Sequence, residues 1–255
     1  MLRGRGIRER VRRSWRYRRR VRRGIDEYPS EYLNWMEFAN AGMLVRGQRV
    51  LMDHAVRSLP TDDPVVEIGA FCGLSTNVLT YFLQLHARPN RLISADPWVF
   101  EGEEGEMLDG SGISFAEYRE LVKGQFVANT RFWSRDRLPE AVQLSSDDFF
   151  AAWAEGRLVP GVPDGEVALG GPIAMGFVDG DHAYEEARRD FENLDRFLVP
   201  GGYALLDDTD EFGTFPQLWR LVREIVAEGN YELVAANPHH LLRKRGPRLS
   251  PAGVR

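Results

Sequence analysis

The alternation of short apolar runs with helical stretches from Pro64 onward is the feature that most constrains the fold. Residues 65–68 and 172–179 form apolar runs typical of buried strands, and helix-length stretches with apolar residues at helical spacing follow them. Such alternation predicts βαβ units, and hence a parallel sheet covered by helices on both faces. We predict an α/β fold with a Rossmann-like, seven-stranded, mostly parallel sheet whose final strand is antiparallel.

Composition excludes several other classes of protein. The chain has 255 residues, 43% hydrophobic and 28% charged, which is ordinary for a globular protein and unlike a disordered or collagen-like one. No apolar run reaches the roughly 18 residues of a membrane span, and the basic start lacks the apolar core of a secretory signal. The single cysteine, Cys72, excludes an internal disulfide and a cysteine-built zinc site, so we predict a cytoplasmic location.

The net charge of −5 combines a basic N-terminal arm with an acidic body. Residues 1–23 contain twelve Arg and one Glu. We predict one of three states for the arm: an amphipathic helix at an anionic surface, a solvated tail, or a contact with a sister subunit in a homo-oligomer. The predicted divisions are a basic arm (1–24), an N-terminal helical segment (25–60), the main domain (61–247) and a tail (248–255).

One segment of the main domain and four histidines carry weaker signals. The aromatic-rich segment 97–139 is either a lid over a ligand site or a solvated loop. The histidines at positions 54, 86, 239 and 240 lack metal-ligand spacing, so we predict core or surface positions for them.

A glycine-rich turn follows the first predicted strand, at residues 67–75 (Glu-Ile-Gly-Ala-Phe-Cys-Gly-Leu-Ser). Such a turn lets a ligand approach the backbone, and the N-terminus of the next helix offers free N–H groups to an anion. The spacing is neither GxGxxG nor that of a phosphate loop, which disfavours a nicotinamide nucleotide or ATP. A tight turn without a ligand is the alternative.

Acidic residues end several predicted strands, where ligands bind in parallel sheets. Asp96 ends the second strand, and a carboxylate there can accept hydrogen bonds from both hydroxyls of a ribose. The alternative is a helix cap or a solvated loop acid.

Three further carboxylates are predicted to share one sheet edge. Asp179 ends the fourth strand, and Asp207 and Asp208 end the fifth. Adjacent carboxylates repel one another and raise one another's pKa, and a hard divalent cation, best Mg²⁺, relieves this. The alternative is a set of capping acids without an ion.

These motifs together resemble a known family. Residues 65–83 resemble the first motif of class I S-adenosylmethionine-dependent methyltransferases, and the sequence of residues 67–75 is most similar to that of catechol O-methyltransferase. Residues 177–184 and 200–208 are similar to the macrocin and mycinamicin sugar O-methyltransferase group. The resemblance covers about residues 60–245. It implies a metal-dependent methyltransferase acting on a hydroxyl of a small molecule, either a sugar or glycosylated natural product or a catechol-like phenol.

The resemblance also implies roles for individual residues. The glycine-rich turn would surround the methionine part of S-adenosylmethionine, with Ser75 near its carboxylate, and Asp96 would hold the ribose. Ser145, Ser146 and Asp147 would border the adenine. Asp179, Asp207 and Asp208 would be the metal ligands, although catechol-type enzymes have Asn where this chain has Asp208. The predicted cofactor contacts are Glu67, Gly69, Ala70, Phe71, Gly73, Ser75, Asp96, Ser145, Ser146 and Asp179.

The resemblance leaves a choice of general base. Catechol-type enzymes use Lys three residues after the first metal-binding Asp, and this chain has His182 there. Sugar-methylating members use either a His at that position or an Asp two residues after the metal ligand, which here is Asp181. We predict His182 as the base, since histidine is half-ionised near neutral pH, with Asp181 as its orienting residue or as the alternative base. The alternative is that His182 stacks near the adenine or caps the next helix.

Two other functions remain open from the sequence. One is a nucleic-acid methyltransferase tethered by the arginine-rich arm, which is disfavoured because the body has no basic aromatic platform. The other is an S-adenosylmethionine-binding protein without catalysis.

Overall fold

The computed structural model describes residues 30–99 and 106–246 of the chain. The predicted basic arm, the predicted tail and residues 100–105 of the predicted lid lie outside these residues. Among the described helices, none combines the length and the hydropathy that a membrane span requires.

A seven-stranded sheet forms the centre of the described structure. The described residues form nine strands, of which seven belong to this sheet: β1 (Val65–Ile68), β2 (Leu92–Ala95), β3 (Glu140–Val142), β4 (Leu158–Pro160), β5 (Glu166–Ala168), β6 (Ile173–Val178), β7 (Leu198–Leu206), β8 (Tyr231–Ala236) and β9 (His240–Lys244). The sheet order is β3-β2-β1-β6-β7-β9-β8, and β4 pairs with β5 in a separate hairpin. Strands β3, β2, β1, β6 and β7 pair in parallel, and β9 runs antiparallel to both of its neighbours, β7 and β8. The predicted fold is therefore confirmed.

Helices cover both faces of this sheet. They are α1 (Glu31–Ala39), α2 (Arg46–Arg57), α3 (Leu74–Leu85), α4 (Phe115–Trp133), α5 (Ser146–Glu155), α6 (Tyr184–Asp195) and α7 (Pro216–Glu228), with a short 3-10 helix at Leu108–Gly110. Apolar residues of α5, α6 and α7 pack on one face of the sheet, and those of α1, α2 and α3 pack on the other. The alternation of side chains along a strand explains why both cores form: Val66 points into the first and Val65 into the second.

Some predicted elements have different bounds in the structure. The sequence pattern predicts a loop over residues 161–171, but residues 166–168 of this segment form β5. The apolar spacing over residues 185–198 predicts one helix, ended by Pro200 and the two glycines after it; α6 instead ends at Asp195, and these three residues lie inside β7. A shift in the β6–β7 register between Ile173 and Met175 accommodates these residues in the strand.

Part of the predicted lid segment is packed rather than free. Trp98 is fully buried and donates a hydrogen bond from its indole nitrogen to the carbonyl oxygen of Phe71 at 2.9 Å. Phe126 of α4 packs against the Trp98 ring, with ring centroids 5.2 Å apart. These contacts support the glycine-rich turn from behind, and the function of the segment as a lid stays a prediction.

Candidate functional site

A cavity of about 750 Å³ opens at the carboxyl ends of β1, β2, β6 and β7. All the predicted site residues line it except Glu67 and Gly73, which lie behind its wall. Residues 41–44, the connection between α1 and α2, also line the cavity, and sequence reasoning missed them. The structure therefore brings the predicted groups together around one space.

The glycine-rich turn has its shape because backbone segments approach closely there. Gly69 has φ +85°, and a Cβ at this position would lie 1.8 Å from the carbonyl oxygen of Asp179. Only glycine lets the chain leaving β1 pass so close to the end of β6. Gly73, also at φ +85°, is the N-cap of α3, so the turn leads directly into the helix N-terminus.

Asp96 holds the glycine-rich turn in place. Its Oδ2 accepts hydrogen bonds from the amides of Ala70 and Phe71, both at 2.8 Å, and its Oδ1 accepts one from the amide of Trp98 at 2.6 Å. Burial raises the pKa of Asp96, and these three amides partly oppose the shift. Because each carboxylate oxygen has two acceptor sites, Oδ1 keeps one for a ligand, and the ribose contact stays a prediction.

Glu67 lies fully buried beneath the turn. Its Oε2 accepts hydrogen bonds from the hydroxyls of Thr76 and Ser94, both at 2.5 Å. Its Oε1 has no hydrogen-bond partner among the described residues. Burial raises the pKa of Glu67. The hydroxyl of Ser75, which lines the cavity, also interacts with this carboxyl and partly opposes the shift.

The two serines predicted beside the adenine line the cavity with their hydroxyls already engaged. Ser145 is the N-cap of α5 and accepts a hydrogen bond from the amide of Asp148 at 3.1 Å. Ser146 bonds with the carboxylate of Asp190. Asp147 pairs with Arg189 at 3.0 Å. These contacts fix the wall of the cavity, and the contact with adenine stays a prediction.

The predicted trio of acids meets at one sheet edge. Strands β6 and β7 are adjacent and parallel, and pairing of Val178 with Leu206 puts the next residues, Asp179 and Asp207, side by side. Their carboxyls are in hydrogen-bonding contact. Burial and the nearby carboxylates of Asp207 and Asp208 raise the pKa of Asp179 well above its usual range.

His182 joins this cluster. Its Nε2 lies 2.8 Å from Oδ2 of Asp208, and its ring stacks on Phe215 with centroids 4.2 Å apart. One ligand atom from each of Asp179, His182 and Asp208 lies within 4.8 Å of the others. Asp208 has φ +50°, a left-handed backbone conformation.

The carboxylate in contact with His182 is therefore that of Asp208, whereas the sequence suggested Asp181. Asp181 is exposed and accepts a hydrogen bond from the amide of Ala183 at 2.7 Å, at the start of α6. The structure gives Asp181 a local capping contact, and its role as alternative base stays a prediction. Burial and the neighbouring Asp207 raise the pKa of Asp208, while His182 opposes the shift.

Asp207 is held from the side away from the cavity. Its Oδ1 accepts a hydrogen bond from the Gln48 amide at 2.5 Å and another from the Asp208 amide at 2.6 Å, and Nδ1 of His239 contacts the same oxygen. Burial alone would raise the pKa of Asp207, but His239, Gln48 and Asp179 together lower it. Sequence reasoning missed Gln48 and assigned His239 to core or surface, because no local sequence pattern indicates a contact between residues so distant along the chain.

The parallel sheet, the glycine-rich turn and the ligand cavity at the strand ends define a Rossmann-like methyltransferase fold. Residues 66–209 match a family model described as a methyltransferase domain. Since this match covers more than half of the chain, the protein belongs to that methyltransferase family. The sequence-based identification as a class I methyltransferase is confirmed.

Several individual proteins are similar to this chain in sequence or in fold. An uncharacterised protein of Acanthamoeba polyphaga mimivirus is 26% identical over 179 residues, which are 70% of this chain and 66% of that protein. The structure of the O-methyltransferase NovP is 21% identical with a TM-score of 0.52, covering 82% of this chain and 84% of NovP. The O-methyltransferase TomG from Streptomyces achromogenes, solved in complex with S-adenosylmethionine, is 15% identical with a TM-score of 0.50, covering 86% of this chain and 92% of TomG. The two solved structures share the fold of this chain.

Proposed function

We propose that this protein transfers a methyl group from S-adenosylmethionine to a hydroxyl of a small molecule, with Mg²⁺ held by Asp179, Asp207 and Asp208. The observation that carries the proposal is the contact among three carboxylates in the wall of the cavity that also contains the glycine-rich turn.

The cofactor fits the half of the cavity formed by β1 and β2. The small residues of the turn can surround the methionine part of the cofactor. The amides at the N-terminus of α3 can donate to its carboxylate, because helix N-termini bind anions. Glu67, which lies behind the cavity wall, can accept from the cofactor's ammonium group through a water. Asp96 keeps an acceptor site for the ribose, and TomG, which shares the fold, was solved with S-adenosylmethionine bound.

The cluster of acids fits a divalent cation. Asp179 and Asp207 are in contact, which requires either a proton between their carboxyls or a cation beside them. Carboxylate oxygens are the donors that Mg²⁺ prefers, and Asp179, Asp207 and Asp208 would hold it. When bound, the cation would bind the acceptor hydroxyl and lower its pKa.

His182 is positioned to act as the general base. Its Nε2 is paired with Oδ2 of Asp208 in the cavity wall; with Asp208 holding the cation, this nitrogen would be available to take the proton of the acceptor hydroxyl. A C–O bond forms while the C–S bond of the sulfonium breaks, so S-adenosylhomocysteine leaves and the proton stays on His182. The carboxylate of Asp208 would stabilise the imidazolium, and stacking on Phe215 fixes the ring plane. Positioning the oxygen in line with the methyl group supplies much of the rate.

The charge of the cavity disfavours an anionic acceptor. Among the described residues that line it, eight are Asp or Glu and one is Arg. That arginine, Arg189, is already paired with Asp147 and Glu186. A polyanion such as a nucleic acid would be repelled here, so the alternative of a tethered nucleic-acid methyltransferase receives no support from the cavity.

Apolar side chains complete the acceptor side. Met43, Leu44 and Phe215 line the cavity and offer apolar surface to one face of a ring. This surface suits either kind of ring, and we favour a sugar or glycosylated natural product as the acceptor because residues 177–184 and 200–208 are similar to the sugar O-methyltransferase group, with a catechol-like phenol second.

The test measures S-adenosylmethionine binding by calorimetry and S-adenosylhomocysteine release with a panel of glycosides and catechols, with Mg²⁺ and with EDTA. We expect cofactor binding in both conditions and turnover only with Mg²⁺. Asp179→Ala should abolish turnover, whereas Asp62→Ala, at an exposed position, should not. Turnover that persists in EDTA contradicts the proposed metal. Salt-sensitive nucleic-acid binding that is lost on removal of residues 1–23 would favour the nucleic-acid alternative.

A further inference from the structure

Two buried side chains from outside the matched domain contact one of the proposed metal ligands, Asp207. Gln48 belongs to α2, before residue 66, and His239 belongs to the turn between β8 and β9, after residue 209. Gln48 is fully buried and His239 is 6% exposed. Neither residue lines the cavity, so neither is placed to touch a substrate or the reacting atoms.

Both side chains act on one oxygen of Asp207. The Gln48 amide donates to Oδ1 at 2.5 Å, and Nδ1 of His239 contacts the same atom. The Asp208 amide lies 2.6 Å from this oxygen and 2.7 Å from Nδ1 of His239. Gln48 and His239 are themselves 3.4 Å apart, between Nε2 and Nδ1. These four groups form one network around Oδ1.

The network determines which way the carboxylate of Asp207 faces. Oδ1 is bound on the buried side, and the same carboxyl contacts that of Asp179 and lines the cavity. Hydrogen bonds from the Gln48 and Asp208 amides, together with the contact of His239, hold this carboxylate in one orientation. Outer-shell hydrogen bonds of this kind orient metal ligands, and their loss typically weakens metal binding or activity by about 10–100-fold.

We propose that Gln48 and His239 are positioning residues that clamp Asp207 for divalent-cation binding. The inference rests on the proposed function. It assigns to α2 and the β8–β9 turn a direct part in the ion site, although both lie outside the matched methyltransferase domain.

The experiment titrates Mn²⁺ into the full-length protein with S-adenosylhomocysteine present and follows free Mn²⁺ by electron paramagnetic resonance. Gln48→Leu should weaken Mn²⁺ binding by about 10–100-fold and leave S-adenosylmethionine affinity in EDTA within about twofold. Gln84→Leu is the matched control, since that glutamine is exposed on α3, and it should leave both affinities unchanged.

A second pair of variants keeps the test decisive if Gln48→Leu does not fold. His239→Leu should weaken Mn²⁺ binding, whereas His239→Asn, whose amide nitrogen can replace Nδ1, should restore most of it. Unchanged Mn²⁺ affinity in Gln48→Leu and His239→Leu overturns the clamp while leaving the proposed function intact. Absence of Mn²⁺ binding by the wild-type protein overturns both. Equal losses of cation and cofactor affinity would indicate a general packing role and also overturn the clamp.

Discussion

Replacing Asp179 with Asn should stabilise the metal-free protein while removing its response to Mg²⁺. The ligand atoms of Asp179 and Asp208 lie within 4.8 Å. At that separation and an effective dielectric constant of about 20, two full charges repel by about 3 kcal/mol. Solvent at the half-exposed Asp208 and partial protonation of Asp179 reduce this, so we expect a gain of about 1–3 kcal/mol. For a chain of this size the melting temperature should rise by roughly 2–10 °C.

The pH dependence follows from the direction of the shift. Because the pKa of Asp179 is raised in the native state, the folded protein keeps a proton that the unfolded chain loses above about pH 4. The free energy of unfolding of the wild type therefore falls as the pH rises from about 4 towards the raised pKa of Asp179, and the Asn variant does not show this fall. The stabilisation by Asp179→Asn in EDTA should thus be larger at about pH 8 than at about pH 4.5.

Differential scanning calorimetry in EDTA and in saturating Mg²⁺ checks both parts. The wild-type melting temperature should rise with Mg²⁺, since ligands that bind the native state stabilise it, and the variant should respond much less. Asp62→Asn, at an exposed position, serves as the control. The reasoning is refuted if Asp179→Asn melts at or below wild type in EDTA at the higher pH, or if its Mg²⁺ response matches that of wild type.

Three other changes test separate parts of the structure. His182→Ala should lower kcat about 100-fold or more with little change in S-adenosylmethionine affinity by calorimetry, and a change in affinity alone would make His182 a cofactor contact. Gly69→Ala should cost about 3 kcal/mol or more in urea unfolding because its Cβ would meet the Asp179 carbonyl, whereas Gly110→Ala, at φ +71° in open space, should cost about 1 kcal/mol; equal costs would refute the clash. Burial lowers the pKa of His240 to about 4, so wild-type stability should fall by up to about 3 kcal/mol as the pH drops from about 6.5 to 4, and His240→Gln should flatten that dependence in urea unfolding; parallel pH profiles would contradict it.

The parts of the site that were predictable from the sequence lie at strand ends. Apolar runs are local signals, so β1, β6 and the end of β7 could be placed, and the adjacency of parallel strands then predicted that Asp179, Asp207 and Asp208 meet. The same reasoning located Asp96 at the end of β2. Its bonds to the glycine-rich turn were not predicted, because they depend on the path of the backbone after Gly69.

The parts that could not be predicted depend on contacts between distant segments. Gln48 and Asp207 are 159 residues apart, and nothing near Gln48 distinguishes it from any other polar residue of an amphipathic helix. The β4 and β5 strands are three residues long with exposed ends, too short for a periodic pattern to show. The end of α6 was overestimated because Leu198 continues the helical spacing although it begins β7.

The left-handed backbone at Asp208 restricts what can replace it over evolutionary time. At φ +50° most side chains are strained, while Asp and Asn tolerate the conformation well. An exchange between these two amino acids would alter the formal charge at the proposed cation site by one unit and leave the main chain undisturbed. A single nucleotide change could therefore adjust the affinity of the proposed site for its ion, whereas Glu or a β-branched residue at this place would strain the end of the strand.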